Sequence, residues 1–433
     1  MTPDDATRAA QEVRAGSGSA AASVERAFAG ARDREDLGAI WALDVEGARR
    51  RAAQLDERRA AGEDPGALAA AALAVKDNLD LAGIPTTGGL PGKVAPTARD
   101  AEVVRRLGAA GAIPIGKTAM DPLGWATRGQ APGHPPCLNP VDVSLSPGGS
   151  SAGSAVAVAA GIAALGLGTD TAGSIRIPAA YCGIVGLKPA ARAFPRRGAI
   201  VVAPSFDTPG ILARSVRDCA LAHEALTGRA IARVGGGLRV ALLEDLLEEA
   251  DPGPAGSCER AVRRLVAARG TGPAVELGAA RLDWRAPGFG RILAVELART
   301  WGDRIERDPD RFPAAIRQSC EHGRRTGGAA YERTRRKMTR ARRSLAARLG
   351  GFDAVVCPTV PFAVPAREAQ EVEASIRFTR CFSALGWPAI SVPLEPDGQG
   401  RPVGLQVAAV PARLPGLLAL AAAVEALVLG DSG

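Results

Sequence analysis

Aromatic side chains are scarce in this 433-residue chain, at 4% overall with only two tyrosines. That scarcity removes the stacking surface on which a basic protein holds single-stranded nucleic acid. The formal charge is +8, but the excess is spread along the chain, so no nucleic-acid partner is expected. Histidine is rarer still: His134, His223 and His322 are the only three, and none has a Ser-His-Asp setting. The seven cysteines are odd in number and form no CxxC pair, which argues against a disulfide framework and a zinc site. No metal and no organic cofactor is expected. Residues 1–14 lack the apolar core of a secretory leader, and the longest low-charge run, 152–168, is too short to span a bilayer. These absences predict a cytoplasmic protein without membrane contact.

Lysine is also rare. Lys76, Lys93, Lys117, Lys188 and Lys337 stand among 54 basic residues, the rest being arginine. A buried lysine can deprotonate and an arginine cannot, so each retained lysine is a candidate for chemistry closed to arginine. The densest basic stretch, residues 333–343, reads as the solvated face of a helix, with a site for an acidic substrate or partner as the alternative.

What is abundant is apolar residues (46%) and glycine (52 residues), enough for a large core joined by tight turns. Segments 72–81, 113–117, 163–168, 184–187, 238–243, 352–361, 387–393 and 402–409 read as strands. Segments 100–109, 151–161, 216–226 and 417–427 read as helices, and 257–347 is mostly helical. Strands spaced by helices predict an α/β fold, with one large, mixed or largely parallel sheet covered on both faces. The expected organisation is one domain. It has a helical N-terminal segment (1–70), a catalytic core (71–227), a helical variable region (228–350) and a return to the sheet with a closing helix (351–433).

The chemistry concentrates in two serine-bearing glycine loops. One is Ser146-Pro147-Gly148-Gly149-Ser150-Ser151-Ala152-Gly153-Ser154, the other Gly168-Thr169-Asp170-Thr171-Ala172-Gly173-Ser174-Ile175-Arg176-Ile177-Pro178. Glycine loops let backbone N–H groups face an anion, and a serine ending such a loop is placed like a nucleophile supplied with oxyanion donors. Alone, Gly148-Gly149-Ser150-Ser151 also reads as an anion-binding turn or a capped helix start. The base candidate is Lys76, within apolar Ala74-Val75-Lys76-Asp77-Asn78, because burial lowers a lysine pKa. The other reading of Lys76 is a buried lysine paired with Asp77 or another carboxylate.

Together with Gly116-Lys117-Thr118, Phe206-Asp207-Thr208-Pro209-Gly210, Pro388-Ala389-Ile390-Ser391-Val392-Pro393 and Pro402-Val403-Gly404-Leu405-Gln406, these motifs resemble the amidase signature family. The resemblance implies amide hydrolysis through an acyl-enzyme. It makes Ser174 the nucleophile, Ser150 a bridging serine after a cis peptide bond from Gly149, and Lys76 the proton acceptor. It assigns the oxyanion hole to the N–H groups of Thr171, Ala172, Gly173 and Ser174, with Ser151, Asp170 and Arg176 bracing the loops. Ala152 and Ala172 stand where the family usually has glycine, and the latter substitution is also found in allophanate hydrolases.

Residues 120–136 form an unusual Pro/Gly-rich segment. Trp125, Arg128 and His134 within it, together with Tyr181 and Cys182, are expected on the substrate side. The substrate expected is a small-molecule amide, and a homodimer is compatible with this reading. The alternatives are the glutaminase (A-type) component of a tRNA-dependent amidotransferase and an amidase-like scaffold without catalysis.

Overall fold

Leu73 and Val75 enter one buried apolar cluster, while Ala72 and Ala74 enter another. Side chains alternate across a strand, so these two clusters lie on opposite faces of one sheet. In the computed structural model, which describes residues 6–234, 236–268, 274–283, 286–369 and 372–430, that sheet has eleven strands. They are β1 (Ile40–Leu43), β2 (Ala72–Lys76), β3 (Ile113–Thr118), β4 (Leu165–Asp170), β5 (Val185–Lys188), β6 (Thr208–Ala213), β7 (Leu238–Leu243), β8 (Val275–Ala280), β9 (Ala354–Pro358), β10 (Ala389–Leu394) and β11 (Val403–Ala408). Their order is β1-β3-β2-β4-β6-β5-β10-β11-β9-β7-β8. β3, β2 and β4 run parallel, as do β9, β7 and β8, whereas the strands between β4 and β9 pair antiparallel. The sheet is mixed.

Helices Glu102–Ala109, Val216–Thr227 and Pro252–Ala267 bury Leu107, Cys219 and Val262 on the Leu73 face. Helices Ala20–Asp33, Val45–Ala60 and Ala152–Ala159 bury Phe28, Leu55 and Val156 on the Ala74 face. The span Pro411–Val428, largely within helix Leu414–Gly430, is long and apolar enough to cross a membrane, alone among the described residues. Its Leu417, Leu420, Ala421 and Val424 pack into the sheet's core cluster.

Three expectations need correction. The strand at 72–81 stops at Lys76, because the chain turns there and Leu79 N–H donates to the Lys76 carbonyl at 2.9 Å. The 1–70 segment is not purely helical, since β1 pairs with β3 between two of its helices. The 228–350 region likewise carries β8, whose edge position, with every residue half-exposed or exposed, gives it no continuous apolar run.

Candidate active site

β2 ends in Lys76, which has no exposed surface. Its Nζ lies 2.8 Å from Ser150 Oγ and 3.0 Å from Thr169 Oγ1, and Asn78 Nδ2 donates to the same threonine hydroxyl at 2.9 Å. Burial lowers the Lys76 pKa to about 7, with the charges of Asp121, Asp170 and Asp207 opposing the shift. The neighbouring Asp77 is committed elsewhere, to Lys117 Nζ at 3.0 Å. Among the described residues no carboxylate is within ion-pair distance of Lys76, so its contacts are hydroxyls.

Ser150 follows a cis peptide bond from Gly149, as the resemblance implied. The approach is tight. A Cβ on Gly149 would sit 2.5 Å from Asp121 Oδ2, and one on Gly124 would sit 2.9 Å from Ser150 Oγ. Ser151 opens helix Ala152–Ala159 without capping it. Its hydroxyl bonds instead to the N–H and carbonyl of Thr169 at 3.3 and 3.2 Å, tying the first serine loop to β4. Gly168 allows this contact, since a Cβ there would meet Ser151 Oγ at 2.5 Å.

The second loop leaves the end of β4 and carries Ser174, which is 7% exposed. The Ser174 carbonyl accepts from Ser151 N–H at 3.2 Å, so the two loops are held together. Thr171 Oγ1 donates to Asp207 at 2.6 Å, and Thr379 Oγ1 donates to the Ala172 carbonyl at 2.5 Å. Gly173, with φ of 146°, makes room for that threonine. The N–H groups of Thr171, Ala172, Gly173 and Ser174 have no intramolecular acceptor among the described residues. Ala152 and Ala172 do not adopt positive φ, so alanine in place of glycine imposes no backbone strain.

Comparison with known proteins gives this geometry a context. The family model for amidases matches residues 22–269 and 290–414. The chain is 34% identical over 442 aligned positions, and 89% of each chain, to the Salinispora arenicola protein named as the A subunit of glutamyl-tRNA(Gln) amidotransferase. A solved amidase structure superposes with a TM-score of 0.89 at 33% identity, covering 98% of this chain and all of the other. The peptide amidase of Stenotrophomonas maltophilia superposes with a TM-score of 0.85 at 26% identity, covering 99% and 97% of the two chains. The chain belongs to the amidase signature family. It is an amide-hydrolysing enzyme.

Within this amidase the second serine loop is braced by a buried ion pair. Asp170 and Arg176 are both fully buried and pair through two bonds of 2.8 and 3.0 Å. Burial alone would raise the Asp170 pKa, but the charge and hydrogen bonds of Arg176 hold it below its ordinary value. Arg176 also donates to the Thr379 carbonyl, Gln406 Oε1 and Ser383 Oγ at 2.6–2.9 Å. Removing one partner strands a buried charge, so Arg176→Ala is expected to cost about 3–5 kcal/mol, read as a large fall in Tm. An unchanged Tm would show that the loop holds without this pair.

The substrate-side expectations divide. Trp125 packs against the apolar cluster that contains Leu90, Leu123, Trp301 and Phe312, immediately after Gly124, which abuts Ser150. Arg128 is exposed, and its N–H is anchored to Asp121, a buried carboxylate that also accepts from Gly129 and Gln130. His134 instead stacks on Trp41 at 3.9 Å on the exposed surface, an aromatic pairing that takes its ring face. Tyr181 and Cys182 are buried. Tyr181 is fully buried with Ile177, Val360 and Val364, and the Cys182 thiol faces the Pro147 carbonyl, because both end the apolar helix Arg176–Tyr181 against the core. Asp121, Thr169, Asn78, Asp207 and Thr379 join the site without being singled out by the sequence. Asn78, Thr169 and Asp207 lie inside the quoted motifs and Asp121 inside the 120–136 segment, whereas Thr379 gave no signal.

Gly124 offers a direct test. Gly124→Ala places a methyl against Ser150 Oγ at φ of 69°, and is expected to lower kcat/KM about a hundredfold through misplacement of that hydroxyl. Wild-type kinetics in this variant would mean that Ser150 has freedom to move.

Proposed function

We propose that the protein hydrolyses a small-molecule amide through a Ser174 acyl-enzyme, with Ser150 and Lys76 as a proton relay. What supports this reading above all is Lys76 Nζ at 2.8 Å from Ser150 Oγ, beside a loop of four N–H groups without intramolecular acceptors. Neutral Lys76 takes the Ser150 proton as Ser150 takes that of Ser174. Ser174 Oγ then bonds to the amide carbon, and the carbonyl oxygen gains negative charge facing the N–H groups of residues 171–174. One such donor is worth about 3 kcal/mol in transition-state stabilisation. The relay returns a proton to the leaving nitrogen, the C–N bond breaks, and the amine departs. Water then attacks the ester by the same relay, releasing the acid and restoring Ser174.

A fluorophosphonate probe is expected to label Ser174, mapped by peptide mass. A screen for released ammonia or amine across small amides, with the enzyme alone, tests the substrate class. Failure of labelling in folded protein would remove the serine mechanism. Several relatives carry the amidotransferase name, and that reading requires glutamine-dependent tRNA amidation with a partner protein; turnover of small amides by the single chain separates the two. The cytoplasm fits this reading as a location.

The loop around Trp125 is the proposed selector of substrate, since loops on a rigid sheet vary without disturbing the core. Trp125→Ala and Arg128→Ala are expected to change relative kcat/KM across a panel of amides by about tenfold. Unchanged ratios in both would place specificity elsewhere.

A further inference from the structure

The arginine-rich helix Gly328–Leu349 does not turn every cation to open water. Arg335 and Arg342, two turns apart and therefore on one face, meet Arg192 and Arg196 around a cavity of about 160 Å³. Phe206 and Asp207 form part of its opposite wall.

The positive charge there is poorly neutralised. Arg196 donates to the carbonyls of Pro204 and Asp207, and Arg342 Nε donates to the Ala384 carbonyl, none of which carries formal charge. Arg335 meets Glu332 at 3.6 Å, one turn back on its own helix, and lies over the ring of Tyr331 at 5.7 Å, which carries no formal charge. Arg192 has no hydrogen bond or ion pair among the described residues, although its backbone sits at φ of 65°, a conformation arginine seldom adopts. The nearby carboxylates are already engaged. Asp207 takes Thr171 Oγ1 and the N–H groups of Val202 and Ala203, and Glu296 takes Ser205 and the Tyr331 hydroxyl. Burial and the guanidiniums of Arg335 and Arg192 lower the Arg342 pKa, with the charge of Glu296 opposing the shift, a sign of crowded cations.

We propose that this cavity is an anion-binding site that takes a carboxylate or phosphate group. Four guanidiniums converging on a space of this size supply the forked donors that such groups accept bidentately. The site stands one wall from the oxyanion loop: Asp207 holds Thr171, and Phe206 belongs to the apolar cluster against which Ala172 packs. The anion is carried either by the amide substrate or by a separate ligand, and only the first case rests on the proposed hydrolase reading.

Inorganic phosphate titrated into the intact protein, with chloride at matched ionic strength as control, is expected to raise Tm saturably. Arg192→Gln/Arg335→Gln, which removes two exposed side chains, is expected to keep the wild-type Tm in chloride. It should bind phosphate at least about tenfold more weakly. Ser174→Ala is expected to retain the phosphate response, so a failed serine mechanism and a failed anion site give different results. If the anion belongs to the substrate, phosphate raises KM and the double variant loses kcat/KM for carboxylated amides alone. If it is a separate ligand, phosphate leaves KM unchanged while still raising Tm. The absence of a phosphate response beyond that of chloride, or an undiminished one in the double variant, overturns the site.

Discussion

Ser174→Ala is expected to abolish turnover, by roughly four orders of magnitude or more, while the protein folds as before. The Ser174 hydroxyl makes no hydrogen bond among the described residues, so alanine deletes a nucleophile without deleting a brace. The loop contacts that survive are the Ser174 carbonyl to Ser151, Thr171 to Asp207 and Thr379 to Ala172. Steady-state amide hydrolysis and thermal unfolding, measured on the same preparation, check both halves. Near-wild-type turnover in a folded Ser174→Ala protein would end the acyl-enzyme mechanism.

The second large effect belongs to Lys76. Lys76→Ala is expected to slow hydrolysis by several orders of magnitude, and Ser150→Ala by less, because a water can take the place of the missing hydroxyl. The pH profile carries the sharper signature. A base must be neutral, and the Lys76 pKa is about 7, so kcat/KM is expected to be flat above that pH and to fall tenfold per unit below it. Linkage has the matching sign. The folded pKa lies below the ordinary lysine value of 10.5, so between these values the unfolded chain holds the extra proton and stability rises with pH. Lys76→Met, which removes the buried amine, is therefore expected to unfold no more easily than wild type at pH 6 while being inactive. A rate that stays flat through pH 5–7, with chemistry limiting, would mean that another group is the base.

The sequence made the mixed sheet and the serine–lysine pairing legible because both are written locally. Apolar runs such as 72–76 and 163–168 mark doubly covered strands, and the glycines around Ser150 and Ser174 mark close backbone approach. The scarcity of lysine narrowed the base to a few positions, and contacts then separate them. Lys188 is also buried with a pKa lowered to about 7, but its Nζ meets only the carbonyls of Pro189 and Trp387, and Lys117 is paired with Asp77. What was not legible depends on residues far apart in the chain. Thr169 is an ordinary strand threonine until Lys76 and Asn78 arrive from β2 and the turn after it. Tyr181 follows a catalytic motif closely, but its helix turns it into the core. β8 lacks the continuous apolar run of its neighbours because it is an edge.

The bracing of Arg176 has a consequence for synthesis. Its guanidinium reaches Asp170 only six positions away, but its remaining contacts, Thr379, Ser383 and Gln406, are made more than 200 residues later. β5, which follows its helix, likewise pairs with β10. A ribosome will have emitted both serine loops and Lys76 long before the segment that steadies them exists. Until β10 and β11 emerge, the nascent chain holds all the reactive side chains on an unfinished sheet edge, with a buried-type arginine only partly coordinated. Amide hydrolysis should therefore begin only once residues 379–408 have emerged, and chains arrested near residue 350 should carry the full set of reactive groups and remain silent.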